Sequence, residues 1–396
     1  MTAPHDPASL LGALLRAPSV TPSVGGALDV LEAQLTPAGF AVDRPTFTEP
    51  GTPDVENLFA AIGSGDRHFC FAGHVDVVPT GAETLWTHAP FAGEVVGDLM
   101  YGRGAVDMKG GVAAFAAAAL DFVAERGADF GGRISFLITG DEEGPSINGT
   151  VKLLDWAARR GERFSAAVVG EPSSSLQLGD MIKVGRRGSL SGEVRLKGTQ
   201  GHVAYPARAD NPIRLLPAVI AALMDPPLDG GNDRFQPSNL EVISVDTDNL
   251  ASNVIPAETR LVFNVRFNDE WTVEALEAEI AGRLARAMGD NPLRAGRNAP
   301  LAYTLEFEPT NAVSFLTRSD ELIGTLSAAI AAETGLVPEL STTGGTSDAR
   351  FIKSYCPVIE FGPVGQTMHK IDECVSLGDL VRLKAIYRRF LDSYFA

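Results

Sequence analysis

Five short phrases carry the residues that could do chemistry. They are His74 and Asp76 in GHVDVVP, Asp107 in GRGAVDMKGG, Glu142 and Glu143 in TGDEEGP, Glu171 in VVGEPSS, and His369 in TMHK. Imidazole and carboxylate together suit zinc, cobalt or manganese, and no thiolate among them asks for a softer ion. Two histidines and three carboxylates suffice for two ions if one carboxylate bridges. Asp107 is the expected bridge, because its glycine-flanked turn lets the backbone approach closely. Three carboxylates against two dications leave a site near +1 before Glu142 is counted. Without metal the same carboxylates would repel one another and raise their own pKa values.

Spacing assigns further roles. His74 and Asp76 lie two apart, so an extended chain points both to one side. Asp76 is then expected to accept the spare ring N–H of His74 and fix its tautomer. Glu142 and Glu143 are adjacent and point oppositely if extended, so one can ligate while the other takes a proton from a polarised water. Each phrase alone is ordinary: an HxD at a strand end is usually a solvated pair, and an EE pair is usually surface charge. Their joint order points to metal chemistry. His5 and His88 read as surface residues, and His68 as the start of a strand.

The elements that must position these groups alternate in type. Leu28, Leu31 and Leu35 recur at helical spacing within 26–38, ahead of Gly39. Strand-like runs follow at 57–62 and 68–72, an Ala-rich helix over 109–124, a strand over 133–139, a helix over 151–160 and a buried strand at 166–169. That alternation predicts an α/β sheet with parallel pairs. Ligands of such sheets bind at the carboxyl ends of strands, where four of the phrases fall. The texture changes near Ile182. LSGEVRLK (190–197) and TRLVFNVRF (259–267) alternate apolar and polar, as half-exposed strands do, and helical stretches cover 212–224 and 273–288. After residue 298 the α/β pattern returns, with a helix near 320–334 and a strand at 357–361. The expected arrangement is a catalytic domain of residues 1–186 and 298–396, interrupted by an α+β domain of residues 187–297.

The composition is ordinary for a globular chain, with 45% hydrophobic and 21% charged residues over 396 positions. The formal net charge of −17 disfavours nucleic acid and anionic lipid as partners. An anionic substrate then needs a local positive patch or a metal. Lys183, Arg186 and Arg187 cluster, and Arg266 sits in an otherwise apolar strand. Arginine suits carboxylates because its planar fork binds them bidentately, with Arg187 more ordinary as a strand-end charge. The three cysteines, Cys70, Cys356 and Cys374, match no metal or disulfide pattern and read as reduced thiols. The N-terminus has no basic residue before its short apolar run, and the longest apolar run, 112–120, is half a membrane span. A soluble, cytoplasmic protein without membrane association is expected.

The joint order of GHxDVVP, GRGxxDMKGG, DEE, GEP and a late histidine resembles the M20 family of metallopeptidases and deacylases. The phrases IKVGRRGSLSG, KGTQGHVAYP, SNVIPAE and STTGGTSDARFI extend the likeness over almost the whole chain. The resemblance implies an α/β zinc-peptidase-like catalytic domain with an inserted ferredoxin-like lid that also dimerises. It implies two Zn2+ per subunit, replaceable by Co2+. His74 and Glu171 would hold one ion, Glu143 and His369 the other, and Asp107 both, with Glu142 as general base and Asp76 behind His74. It further implies that His202 reaches across a homodimer to donate to the oxyanion, a contact worth roughly 3 kcal/mol of barrier. Substrate contacts would fall to Arg186, Ser189, Tyr205, Asn253, Arg266, Gly345 and Thr346. The implied reaction removes succinate from N-succinyl-LL-2,6-diaminopimelate, a small anionic substrate, in lysine and diaminopimelate biosynthesis. Rival readings are a related deacylase acting on N-acetylornithine and a non-catalytic binder of amino-acid derivatives. Gly365 stands where relatives often carry an asparagine, which leaves one contact to the diaminopimelate part missing or supplied by Gln366.

Overall fold

The computed structural model describes residues 5–289 and 303–396. The chain divides into two compact units, Met1–Val184 with Thr317–Ser341 and Ser347–Ala396, and Gly185–Leu316 with Thr342–Thr346.

The first unit is built on eight strands: β1 (Ala41–Asp43), β2 (Leu58–Gly63), β3 (Arg67–His74), β4 (Gly132–Thr139), β5 (Ala166–Val169), β6 (Met181–Lys183), β7 (Glu339–Ser341) and β8 (Val358–Glu360). Their order across the sheet is β1-β2-β4-β3-β5-β8-β6-β7. The central run β4-β3-β5-β8 is parallel, and its strands read as apolar runs because both faces are covered. Three helices matter for the core: α1 (Pro7–Leu15), α2 (Lys109–Arg126) and α3 (Leu377–Tyr394). Alanine gives α2 high helix propensity without bulk, so the helix is buried over nearly its whole length while α1 and α3 pack closely on it. Phe71 of β3 stacks on Phe115 of α2 with centroids 4.2 Å apart, and the Tyr387 ring of α3 meets both edge-on. Asp6 caps α1 by accepting from Ala8 and Ser9 N–H groups at 3.2 and 3.1 Å.

The second unit has the connectivity strand–helix–strand–strand–helix–strand of a ferredoxin-like fold. Its antiparallel sheet runs Asn239–Asp246, Glu258–Phe267, Gly188–Lys197, Tyr303–Phe307. Leu190, Val194, Leu196, Leu261, Phe263, Val265 and Phe267 face one core, which Leu216–Met224 and Val273–Gly289 cover with Val219, Leu223, Leu276, Ile280 and Leu284.

The units differ from the expected bounds in three places. Gly185–Arg186 pairs with Phe315–Leu316 inside the second unit, so the first crossing precedes Arg186. The expected crossing at 297/298 lies outside the described residues. Beyond it, Tyr303–Phe307 still pairs with Gly192–Leu196, because Tyr303, Leu305 and Phe307 alternate and pack on that unit's core. Residues 342–346 return to the second unit.

Candidate active site

The parallel centre of the sheet aligns the chemistry. His74 is the last residue of β3 and lies opposite Thr139, the last of β4. Ala72 lies opposite Val169, the last of β5. The turn after β4 therefore carries Glu142 and Glu143, and the turn after β5 carries Glu171, beside the same strand end. Asp107 immediately precedes Met108 and α2. That helix reaches the site because Gly111 has no side chain: a Cβ there would sit 2.1 Å from the Gly170 carbonyl oxygen.

Asp107 faces one imidazole with each carboxylate oxygen. Nε2 of His74 lies 3.2 Å from Oδ1, and Nε2 of His369 lies 3.2 Å from Oδ2. Glu171 adds an oxygen 3.7 Å from His74 Nε2, and Glu143 one 2.8 Å from His369 Nε2. Two triads that could each hold a metal ion result, His74–Asp107–Glu171 and Asp107–Glu143–His369, with donor atoms within 4.8 Å of one another. A third grouping joins Glu142 to His74 and Glu143. The donors are oxygen and imidazole nitrogen, the spacing suits ions held between them, and the residues fit a pair of metal ions sharing one carboxylate.

The electrostatics agree with a site made for cations. Burial works to raise the Asp107 carboxyl, but hydrogen bonds from His369 and His74, and their charges, hold it below the usual range. Burial works to lower the His74 imidazole, and the Asp107 contact with the charges of Glu171, Glu142 and Asp76 lifts it well above its ordinary value. Contacts with Asp107 and Glu143 raise His369 to about 10. Burial lifts Glu142 well above the usual carboxylate range, against the charge of His74 and with that of Asp348, Glu143 and Asp107. Burial and Asp107 do the same for Glu171.

Asp76 has a different partner from the one its spacing suggested. Nδ1 of His74 meets the backbone carbonyl of Asp76 at 2.8 Å, while the Asp76 carboxylate lies 3.7 Å away. The chain turns after β3, so the carbonyl reaches the ring first. The carbonyl fixes Nδ1–H and turns Nε2 toward Asp107 and Glu171, where it could ligate an ion. The carboxylate instead accepts the N–H groups of Glu142 at 3.3 Å and Glu143 at 3.0 Å, and so seats the acidic turn.

Two buried carboxylates of the same kind escaped the reading of the residues. Glu373 accepts the N–H groups of Gly104, Val106 and Asp107 and the Arg103 guanidinium. Asp141 accepts those of Ser146, Ile147 and Asn148 and shapes the chain after Glu143. Asp141 opens the DEE phrase and was hidden by its neighbours. Glu373 has no local signal beyond standing four residues after His369.

The other histidines are not part of the cluster. His68 is buried, with Nε2 2.9 Å from Ser135 Oγ and Nδ1 3.5 Å from Glu162. His5 pairs with Asp121, and His88, half-buried rather than superficial, lies 3.1 Å from Glu94 with its ring on Tyr101. The three cysteines are free thiols.

The expected substrate contacts lie in the second unit. Gly201–His202 pairs with Val254–Ile255, and Val203 N–H donates to the Asn253 carbonyl at 3.0 Å, so His202 and Asn253 are neighbours. His202 is exposed, its ring 5.8 Å from that of Tyr205. Its Nδ1 accepts the Ala204 N–H at 3.1 Å, which places the ring proton on Nε2. Ser189 is the cross-strand partner of Arg266. Burial lowers the pKa of Arg266, and burial with the charge of Arg266 lowers that of Arg187. Arg186 is buried and donates to the Thr343 carbonyl at 3.3 Å. The turn over it needs Gly344, at φ +108°, where a Cβ would meet the guanidinium at 2.2 Å. Gly345 and Thr346 complete that turn. Gln366, proposed to replace the missing asparagine, donates to the Ser175 carbonyl at 3.3 Å.

Among the described residues, no helix is long and apolar enough to cross a membrane. Comparison with known proteins bears on the metal cluster and the fold. A protein of Methylobacterium radiotolerans named succinyl-diaminopimelate desuccinylase is 58% identical over 393 residues, 99% of this chain and 98% of that one. An M20 family metallo-carboxypeptidase of Sulfolobus solfataricus shares the fold with a TM-score of 0.77 at 16% identity, covering 99% of both chains. A Bacillus subtilis protein described as a dinuclear metal binding peptidase from the M20 family has a TM-score of 0.67 at 17% identity, covering 97% of this chain and 96% of that one. The profile of Peptidase family M20/M25/M40 matches residues 70–393. By that match and by the 58% identity, the chain belongs to peptidase family M20/M25/M40 and is a metal-dependent hydrolase.

Proposed function

We propose that this protein hydrolyses the amide of N-succinyl-LL-2,6-diaminopimelate to succinate and the free diamino acid, in lysine and diaminopimelate biosynthesis. The observation that carries the hydrolytic reading is the Asp107 carboxylate facing two imidazoles, one on each oxygen. The named activity of the Methylobacterium radiotolerans relative supports the substrate. The resident ions are two Zn2+, with Co2+ able to substitute; when bound they polarise the amide carbonyl and acidify a water.

The chain's own residues supply the rest. Glu142 takes a proton from the attacking water and returns it to the leaving amine. A carboxylate lifted above its ordinary range by burial is suited to both transfers. Asp76 seats Glu142 through its N–H. The Nε2–H of His202 donates to the amide oxygen as negative charge develops there, supplied from the second copy of a cytoplasmic homodimer. Arg186 and Arg266 hold the substrate carboxylates, with Ser189, Tyr205, Asn253, Gly345 and Thr346 around them. In a protein of net charge −17 this basic set gives an anion a local place to bind.

The test compares hydrolysis of N-succinyl-LL-2,6-diaminopimelate and N-acetylornithine by metal-loaded protein, with metal analysis of the same sample. Two ions per chain and preferred release of succinate are expected. Faster turnover of N-acetylornithine overturns the substrate, and a single ion at saturation overturns the two-metal centre.

A further inference from the structure

The two triads are supported differently. His74 ends a central strand, Glu171 stands two residues past the end of another, and Asp107 lies two residues before a helix that packs against the Gly170 backbone. His369 belongs to a loop, its side chain 46% exposed. Its backbone is left-handed at φ 60°, as is that of Asp372 at φ 56°, a conformation that costs a non-glycine residue about 1–2 kcal/mol. Such a loop holds its shape only when something outside it fixes the peptides.

That support is a buried ion pair. Arg103 Nη1 donates to Glu373 Oε2 at 2.7 Å and to the Lys370 carbonyl at 3.2 Å, and Nη2 reaches the His369 carbonyl at 3.5 Å. Glu373 Oε2 also accepts Gly104 N–H at 3.0 Å, and Oε1 accepts Val106 and Asp107 N–H at 2.9 and 3.2 Å. Arg103 comes from the Asp107 segment and grips the His369 segment. Glu373 comes from the His369 segment and grips the Asp107 segment. Both residues are buried, with the guanidinium 5.2 Å from the Trp86 ring. A buried ion pair adds little net stability over apolar packing. Here it spends all its bonds on the backbones of two ligand segments.

We infer that Arg103 and Glu373 are positioning residues that set the separation of Asp107 from His369, and so govern the affinity of the metal position formed by Asp107, Glu143 and His369. The His74 side shares Asp107 but depends on them less, since its other two groups, His74 and Glu171, are set by the sheet. The inference rests on the two-metal reading above.

The test strips metal from the full chain and titrates it with Co2+, following heat and the visible Co2+ spectrum, which reports ligand geometry. His369→Ala identifies which of the two binding events belongs to its side. Glu373→Gln turns one acceptor oxygen into an NH2 facing N–H donors. It is expected to weaken that event about 10–100-fold and alter its spectrum, while the other event, which shares Asp107 but keeps His74 and Glu171, weakens by a clearly smaller factor. Arg103→Lys keeps the charge but has one nitrogen for bonds that Arg103 shares between two, and is expected to act in the same direction. It carries the test should Glu373→Gln fail to fold. Unchanged affinities in a folded variant, or equal weakening of both events, overturn the inference. If neither variant folds, the pair is a folding determinant and the inference falls. A wild-type chain without a second event removes the two-metal reading and this inference together, whereas two wild-type events left intact by the variants remove only the inference.

Discussion

The Asp76 carboxylate accepts the backbone N–H of Glu143 across 3.0 Å, tying the turn that carries the acidic pair to the end of β3. A buried acid that touches neither imidazole nitrogen closely thus decides where two reactive carboxylates stand. Burial raises it to about 6, against the charge of His74 and contacts with the Glu142 N–H, Thr21 and the Glu143 N–H. Asp76→Asn presents an NH2 to one of those donors. It is expected to lower kcat/KM about 10–100-fold while the chain stays folded, as steady-state kinetics and circular dichroism would show. Wild-type kinetics would mean the acidic turn needs no such anchor.

The general-base role proposed for Glu142 would separate chemistry from metal binding. Glu142→Gln should lower kcat about 10²–10⁴-fold and leave both ions in place by elemental analysis. Turnover within tenfold of wild type would move the general-base role to another residue.

Removing the ions should make stability depend on pH with a definite sign. His74 and His369 are raised in the fold, His369 to about 10. Their stabilising contribution is complete below the unfolded value near 6.5 and is lost as pH rises toward the folded one. Glu142 and Glu171 are also raised, by burial first, so ionising them on the way up costs stability in the same direction. The metal-free protein should therefore lose Tm between pH 6.5 and 9. The metal-loaded protein would hold His74, His369 and Glu171 deprotonated as ligands and should lose less. Calorimetry with and without chelator measures the gap; a gap constant across that range would contradict the assignment.

Two glycine substitutions should differ in sign. Gly111→Ala drives a Cβ to 2.1 Å from the Gly170 carbonyl oxygen, costing about 1–3 kcal/mol and displacing Glu171. Gly282→Ala meets only the flexible tip of Arg286 at 3.3 Å within the helix Val273–Gly289, and should be neutral or stabilising by up to about 1 kcal/mol. Urea midpoints of both variants decide it.

Much of the central sheet could be read from the residues because each element there obeys a local rule. β5 coincides with the run 166–169, and α2 begins at Lys109 as its alanines suggest. The cluster was legible for a related reason: four of its phrases begin where a strand stops or a helix starts, and a parallel sheet brings those points together. What escaped depends on distant chain. Whether His74 meets the Asp76 carbonyl or carboxylate is decided by a bend no spacing rule encodes. Glu373 looks like a second acid beside Asp372, and only the fold brings it under the Asp107 segment. The strand Tyr303–Phe307 does alternate, but the texture change was placed before it, and the return of 342–346 to the second unit has no compositional mark.

β3 lies between β4 and β5 at the sheet's centre, beneath a helix buried along most of its length. Backbone amides in such a place exchange with solvent only when the whole unit opens, whereas loops open by small local excursions. His74 has the slow clock of the core, and Glu171 stands buried two residues past β5 beside it; Glu143 and His369 keep the fast one of their loops. The ion proposed for the loop side is therefore the one expected to exchange while the protein remains folded, and a chelator working below the melting temperature should stop halfway.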